Sequence, residues 1–185
     1  WSKATNNYYY RDILGIDEPI VKKITIWGSE RDLFTGTFGA KAKMINWLTN
    51  SVVLNSFKMT PDDMGKYINK INSCRPDLIR GYAGSLYEIC RYAERNNLEI
   101  YSPKVIVSAA ETLNGEMRDQ IERVFGRKLY DFYGSREVSN LAGECKDGLM
   151  HSFAFWNYQE LLDHYNRPAK QGEEGKVVVT NLFNY

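Results

Sequence analysis

The sequence is short of several features that would assign it to a class at once. Of its 185 residues only three are cysteine, an odd number with no CxxC pair, which favours a reducing compartment over a disulfide scaffold. The 24 lysines and arginines are balanced by 23 acidic residues, so there is no excess positive charge for a nucleic-acid backbone or an anionic lipid surface. We therefore expect a cytoplasmic protein that binds neither nucleic acid nor membranes.

Long apolar runs are also missing. No stretch approaches the roughly 20 apolar residues of a membrane-spanning helix, and the N-terminus lacks the basic and then apolar pattern of a secretory signal. The apolar content of 43% and the charged content of 25% are those of an ordinary globular domain. Because the sequence starts at Trp1 and stops at Tyr185 within an apparent strand and its exit loop, we expect a fragment of a larger protein.

What the sequence has instead is a regular series of five short, β-rich apolar segments that end in glycine or another small residue. Their first residues are separated by 29, 26, 27 and 24 positions, which is the length of one strand followed by one helix. The segments cover residues 22–28, 51–57, 77–83, 104–110 and 128–134.

Amphipathic helical patterns lie between these strands. One has apolar residues at i, i+3, i+4 and i+7 from Met64, behind Thr60 as N-cap and Pro61 at the first helical position. A second follows Ser85 and Glu88, which have capping-box spacing. Alternating strands and helices predict an α/β fold with a mainly parallel, doubly wound sheet and flanking helices. Such sheets bind their ligands at the carboxyl ends of the strands.

The pattern changes after Gly134. Residues 148–162 and 176–182 read as antiparallel strands, with a turn signal at Asp147 and Gly148. We therefore expect a parallel α/β nucleotide-binding subdomain over residues 1–140 and a small, truncated, antiparallel β-rich part over residues 141–185.

The segment richest in chemistry follows the fifth strand. The ring of Tyr133 at a strand tip can stack on a base, Gly134 allows a ligand close to the backbone, and the carboxylate of Glu137 can hold a cation that bridges phosphate oxygens. The same residues also fit an ordinary strand-to-helix turn with solvated charges, so the motif by itself leaves both interpretations open.

Three segments follow one another along the chain. Residues 108–111 are a small-residue strand end followed by Glu, residues 133–137 read Tyr-Gly-x-x-Glu, and residues 172–180 read Gly-Glu-x-Gly-x-Val-Val-x-Thr. In this order they resemble the motifs of the adenylate-forming (AMP-binding) superfamily, and within it the branch of phenylacetate-CoA ligase and related capsule-biosynthesis proteins. The resemblance covers nearly the whole chain.

The resemblance implies an ATP-dependent ligase that uses Mg²⁺ to activate a carboxylic acid as an acyl-adenylate. Whether the acyl group then passes to coenzyme A, a carrier-protein thiol or an amine stays open, as do the identity of the acid and the oligomeric state. The implied partners are therefore small molecules, a carboxylic acid and a nucleotide. Glu137 would be the catalytic residue that holds Mg²⁺ against the triphosphate.

The remaining site residues are also carried over from the family's motifs. Asp131 would contact the exocyclic amine of adenine and Tyr133 would stack on the ring, with Phe132 and Gly134 completing the segment. The residues implied to line the base and ribose are Ser108, Ala109, Ala110 and Glu111. The residues implied to lie near the acyl pocket are Tyr82, Ala83 and Gly84, which also fit a helix-start turn with a buried tyrosine.

Other interpretations stay open beside the ligase. The chain could be a non-catalytic α/β module used for binding or assembly. A nucleotide-sugar glycosyltransferase would need a DxD-type metal motif, which Asp62 and Asp63 do not supply. Cys145 and His151 offer two zinc ligands, whereas a zinc site usually has four.

We predict that this 185-residue chain alone forms no acyl-adenylate. The family's glycine-rich phosphate loop is absent, and residues 36–39 are too short and wrongly placed to replace it. The downstream aspartate and the catalytic lysine of the family are absent as well. Without them the phosphates lose a cradle of backbone N–H groups and the transition state loses a cation. Release of pyrophosphate from ATP above background by the purified chain would contradict this prediction.

Overall fold

A seven-stranded sheet forms the centre of the molecule. The computed structural model describes residues 2–28, 44, 48–57, 59–135 and 137–182. The strands of the sheet are β1 Lys23–Ile26, β2 Ser51–Leu54, β3 Leu78–Tyr82, β4 Val105–Ala109, β5 Leu129–Ser135, β6 Ser139–Glu144 and β7 Met150–Ser152. The helices are α1 Ser2–Asn7, which continues as a π-helical turn over Tyr8–Ile13, α2 Pro61–Cys74, α3 Ala83–Arg95 and α4 Gly115–Phe125.

The first five strands confirm the predicted parallel sheet. They lie side by side in the order β2, β1, β3, β4, β5, and every neighbouring pair among them is parallel. Because β2 lies on one side of β1 and β3 on the other, the strand order reverses next to β1. Ligands of such sheets bind near a reversal of this kind, outside the carboxyl ends of the strands.

The strands after β5 are antiparallel. β6 pairs with β5, and β7 pairs with β6, so both extend the edge of the main sheet. A separate antiparallel pair follows, formed by β8 Asn157–Leu162 and β9 Lys176–Asn181. The small antiparallel part predicted for the C-terminal region is therefore present. The division at residue 140 stays a prediction. β6 pairs with β5 and β7 with β6, so all three belong to the same sheet as the parallel strands.

Three helices cover one face of the sheet. The buried side chains of α2, α3 and α4, among them Ile68, Leu86 and Ile121, pack against strand residues such as Ile79 and Ile106 in one apolar cluster. Each of these five side chains is almost completely inaccessible to solvent. The apolar positions that predicted amphipathic helices are therefore the ones that face the sheet.

The opposite face is covered by aromatic residues from distant parts of the chain. Tyr9 and Tyr10 of the π-helical turn pack with Phe132 of β5 and with Phe153, which follows β7. The centroids of the Tyr9 and Phe132 rings are 5.1 Å apart, and the Tyr9 hydroxyl donates to the Glu144 carbonyl over 3.0 Å. Burial raises the pKa of Tyr9 far above its ordinary value, so its hydroxyl stays a neutral donor. The N-terminal turn is thereby attached to both β5 and β6.

The two predicted helix starts have different outcomes. Thr60 caps α2 as expected, since its hydroxyl accepts from the Asp63 N–H over 3.3 Å and the Asp63 carboxylate accepts from the Thr60 N–H over 3.1 Å. The predicted capping box at Ser85 and Glu88 is wrong. β3 leads directly into α3, which begins at Ala83, so Ser85 lies inside the helix and its side chain cannot serve as the cap.

Two further expectations concern the chain as a whole. None of the described helices is both long and apolar enough to cross a membrane. Cys74, Cys90 and Cys145 are all free thiols.

Replacing Thr60 by alanine removes one half of the capping box. We expect Thr60→Ala to lower the free energy of unfolding by about 1 kcal/mol, because a first-turn N–H of α2 loses its acceptor. Denaturant unfolding followed by circular dichroism measures the change. Thr112→Ala, at an exposed loop position, is the matched control. An equal effect of the two substitutions would contradict the assigned role of the cap.

Gly143 of β6 lies against the ring of Tyr9, and a Cβ atom at this position would collide with that ring. We expect Gly143→Ala to destabilise the chain by about 1–3 kcal/mol, which is typical of overpacking in a core. Gly115→Ala is the control, because a Cβ at Gly115 would meet no atom within 4 Å. Equal stabilities of the two variants in thermal unfolding would show that the N-terminal turn does not pack as described.

Candidate functional site

The tips of β4 and β5 lie side by side. Their parallel register pairs Ser108 with Asp131 and Ala109 with Phe132. The buried Ser108 hydroxyl donates to Asp131 Oδ1 over 2.8 Å, and the same oxygen accepts from the Phe132 N–H over 3.1 Å. Two of the segments that carried the sequence prediction therefore meet at one point at the carboxyl edge of the sheet.

A cavity of about 410 Å³ opens at this point, and we call it the carboxylate cavity. It is lined by Ala110, Glu111, Thr112, Leu113, Asp131, Phe132, Tyr133 and Gly134. The Tyr133 side chain is 48% exposed, so one of its faces is available to a ligand. Six of the residues predicted to bind the nucleotide line this cavity, although their roles remain predictions.

Glu111 has a structural role that the sequence did not reveal. Its Oε2 accepts from the Gly84 N–H over 2.7 Å and so caps the first turn of α3 from the neighbouring strand-to-helix connection. A Cβ atom on Gly84 would lie 2.9 Å from the same oxygen, so the glycine leaves room for this approach. The predicted acyl-pocket segment and the predicted base-binding segment are thus joined by a hydrogen bond.

Gly134 allows β5 and β6 to approach each other closely. The register shifts between Tyr133 and Gly134, and a Cβ atom on Gly134 would collide with the Ser139 carbonyl. Glu137 lies on the exposed turn that connects the two strands. It lines neither of the cavities at the strand tips, but Ser135, two residues earlier, does. Arg136 lies outside the described residues.

A second cavity, of about 250 Å³, adjoins the first, and we call it the aromatic cavity. It is lined by Trp27, Arg80, Tyr82, Ala109, Ala110, Phe132, Gly134, Ser135, Ser139 and Asn140. The ring centroids of Trp27 and Tyr82 are 4.3 Å apart, so these rings form one wall. Tyr82 thus lines this cavity, whereas Ala83 is buried in the first turn of α3 and lines neither cavity. The acyl pocket predicted at residues 82–84 stays a prediction.

Three residues line both cavities: Ala110, Phe132 and Gly134. Ala110 has a φ of 66°, a left-handed conformation that is uncommon for a residue with a Cβ atom. Backbone strain of this kind often occurs at ligand sites, and the strained residue here, Ala110, lies between the two cavities. A ligand in one cavity would therefore be next to a ligand in the other.

Arg80 is the residue that the sequence prediction missed as part of the site. Its Cζ atom is 5.4 Å from the ring centroid of Trp27 and 5.4 Å from that of Phe132. Its Nε is buried and has no hydrogen-bond partner among the described residues. The available signal was one arginine in an otherwise uncharged strand, β3.

A buried ion pair holds the beginning of β5 in place. The Glu144 carboxylate of β6 pairs with Arg118 of α4 over 2.8 Å and also accepts from the Asp131 N–H over 3.0 Å. Lys128 is 3.8 Å from the same carboxylate. Because Glu144 is almost fully buried, removing any of these partners would leave its charge poorly compensated.

The described residues contain no group of three or more histidine, cysteine or acidic residues arranged to hold a metal ion. Cys145 and His151 line a third cavity, of about 310 Å³, together with aromatic residues such as Phe153. The two candidate zinc ligands therefore lie near each other but have no further ligands in the described part of the chain.

Comparisons with known proteins agree with this architecture. Protein CapK of Staphylococcus aureus is 32% identical over 100 residues, which are 54% of this chain and 22% of CapK. The uncharacterized acyl-CoA ligase YtcI of Bacillus subtilis (strain 168) is 36% identical over 78 residues, which are 40% of this chain and 15% of YtcI. The chain thus spans about a fifth of the length of these relatives. No protein-family profile matches the chain.

The fold is also that of a solved ligase. An open conformation of 2-hydroxyisobutyryl-CoA ligase, in complex with 2-HIB-AMP and CoA, superimposes with a TM-score of 0.71. The match covers 97% of this chain and 42% of the ligase at 18% sequence identity. At that identity the likeness shows the fold, and the sequence relation rests on CapK and YtcI. Together these findings support the resemblance of the chain to the adenylate-forming superfamily.

Proposed function

We propose that this chain carries the nucleotide-binding part of an ATP-dependent ligase that activates a carboxylic acid as an acyl-adenylate. The observation that supports this most directly is the pairing of the β4 and β5 tips. It places Glu111, Asp131 and Tyr133 around one cavity, next to a second cavity with aromatic walls. Both substrates of an adenylation reaction would then be in contact at Ala110 and Gly134.

The carboxylate cavity suits the adenine ring. Tyr133 presents an exposed ring on which a base can stack. Asp131 Oδ1 is occupied by Ser108 and by the Phe132 N–H, whereas its Oδ2 accepts no hydrogen bond from the described residues. That second oxygen is a suitable acceptor for the exocyclic amine of adenine, and the hydrogen bond from Ser108 keeps the carboxylate in this orientation.

The turn after β5 would hold the phosphates. Glu137 lies on this exposed turn, and its carboxylate is the kind of hard oxygen ligand that Mg²⁺ takes together with phosphate oxygens and water. When bound, the ion would neutralise phosphate charge that otherwise repels an attacking carboxylate. Gly134 contributes by allowing β6 to approach β5 closely next to this turn.

The aromatic cavity would hold the acyl group. Its walls are the rings of Trp27, Tyr82 and Phe132, and a ligand there would have its reacting end at the residues shared with the carboxylate cavity. The structure of 2-hydroxyisobutyryl-CoA ligase holds both an acyl-adenylate and CoA. Coenzyme A is therefore the acceptor that we propose for the whole protein, and we place the reaction in the cytoplasm.

Removal of the Tyr133 ring tests the proposed nucleotide site. We expect Tyr133→Ala to weaken AMP binding by about tenfold or more, because stacking of a base on an aromatic ring contributes about 1–3 kcal/mol. Titration calorimetry of the chain with AMP measures the affinity. Tyr133 is half exposed, so its loss should leave the fold intact.

Tyr158→Ala is the matched control for that experiment. Tyr158 is 58% exposed on β8, so the substitution removes a similar ring from another surface. Equal AMP affinities of the wild type and both variants would exclude the carboxylate cavity as the base site. Absence of AMP binding by the wild type would instead favour a non-catalytic α/β module.

A further inference from the structure

The guanidinium of Arg80 has no anionic partner in the described part of the chain. Arg80 forms none of the ion pairs found among those residues, and its Nε is buried without a hydrogen bond. The cavity that it lines contains no acidic side chain. Within the described part of the chain, no acidic residue therefore compensates the positive charge of the aromatic cavity.

The hydroxyl of Tyr10 is buried next to this charge. It has no hydrogen bond of good geometry among the described residues, although Arg80 lies close enough to act on it as a donor. Burial raises the pKa of Tyr10, while the nearby charge of Arg80 opposes the rise. The acid Glu18 also acts on Tyr10, but its carboxylate is paired with Lys23. The surroundings of Arg80 thus offer donors and no free carboxylate.

Arg80 is partly buried, and its buried Nε–H has no acceptor among the described residues. The two aromatic faces at 5.4 Å attract the guanidinium through cation–π interaction. They do not accept a hydrogen bond from Nε, and an unpaired buried donor is unfavourable. A ligand with a pair of anionic oxygens would satisfy it, since the planar guanidinium matches a carboxylate in two parallel hydrogen bonds.

The position of Arg80 separates it from the reacting end of an acyl substrate. Arg80 pairs in the sheet with Val107, whereas Tyr82 at the strand tip pairs with Ala109. Arg80 therefore lies two residues before the tip of the strand, and its guanidinium lies between the rings of Trp27 and Phe132. Arg80 lines only the aromatic cavity, whereas Ala110 and Gly134 also line the carboxylate cavity, and we therefore place the reacting carboxylate at these two residues.

We propose that the acid activated at this site carries a second acidic group, and that Arg80 binds that group inside the aromatic cavity. This inference rests on the proposed function, because it assumes that the aromatic cavity holds the acyl substrate. The cavity volume of about 250 Å³ favours a small dicarboxylic acid. Arg80 is then the residue that determines specificity.

Pairs of acids that differ in one charged group test the inference. 4-Carboxyphenylacetate is compared with 4-methylphenylacetate, and succinate with butyrate, by titration calorimetry of the chain saturated with AMP. At least one dicarboxylate should bind about tenfold or more tightly than its neutral-ended counterpart. Arg80→Met keeps the length and apolar contacts of the side chain and should abolish that preference. Arg80→Lys, which keeps the charge without the planar fork, should retain part of it.

Two outcomes would overturn the inference. One is that neither dicarboxylate binds more tightly than its counterpart. The other is that Arg80→Met weakens both members of a pair equally, which would assign Arg80 to the shared carboxylate. The affinity for AMP distinguishes these failures from failure of the proposed function, because it reports on the nucleotide site alone. The AMP affinity of Arg80→Met should equal that of the unsubstituted chain, and this equality also shows that the variant is folded. Absence of the preference in the unsubstituted chain, with normal AMP binding, refutes only the second acidic group.

Discussion

The parallel pairing of β4 with β5 is the constraint on which the candidate site depends. In the observed register Ser108 lies opposite Asp131, and their side chains form a hydrogen bond of 2.8 Å at the edge of the sheet. Successive residues of a strand point to opposite faces, so a shift of one residue would move Asp131 and Tyr133 away from Glu111. The cavity exists only because this register is maintained.

Several parts of the chain act to maintain it. Glu144 of β6 accepts the backbone N–H of Asp131 and is itself neutralised by Arg118 of α4. On the other face, Tyr9 packs against Phe132 and donates to the Glu144 carbonyl. Phe132 therefore belongs to the core and to both cavities at once. Packing of the N-terminal turn and the geometry of the site are consequently linked through one strand.

The sequence was informative wherever the determining interactions are local. The period of the apolar segments predicted the five parallel strands, and Thr60 as N-cap followed by Pro61 predicted the start of α2. It was uninformative where the partner is distant in the chain. Ser85 and Glu88 have capping-box spacing, yet the first turn of α3 is capped by Glu111, 27 residues after Gly84. A short motif cannot reveal such a partner.

Arg80 illustrates the same limit for the site itself. The guanidinium of Arg80 contacts Trp27, which follows β1, and Phe132 of β5. That these two residues lie close to Arg80 can be inferred only from the strand order of the folded sheet. The residues supplied by the family resemblance, such as Asp131 and Tyr133, were found because they stand within a few positions of one another. A residue whose role depends on three separate strands has no comparable pattern in the sequence.

The central claim is that the adjoining tips of β4 and β5 form a nucleotide site, and mapping of AMP contacts by NMR tests it most directly. Titration of the isotope-labelled chain with AMP should shift the backbone amide signals of residues 108–111 and 131–134 most strongly. Signals of β8 and β9, which form a separate sheet, should stay in place. Shifts concentrated at the cavity of Cys145 and His151, with the strand-tip signals unchanged, would contradict the account.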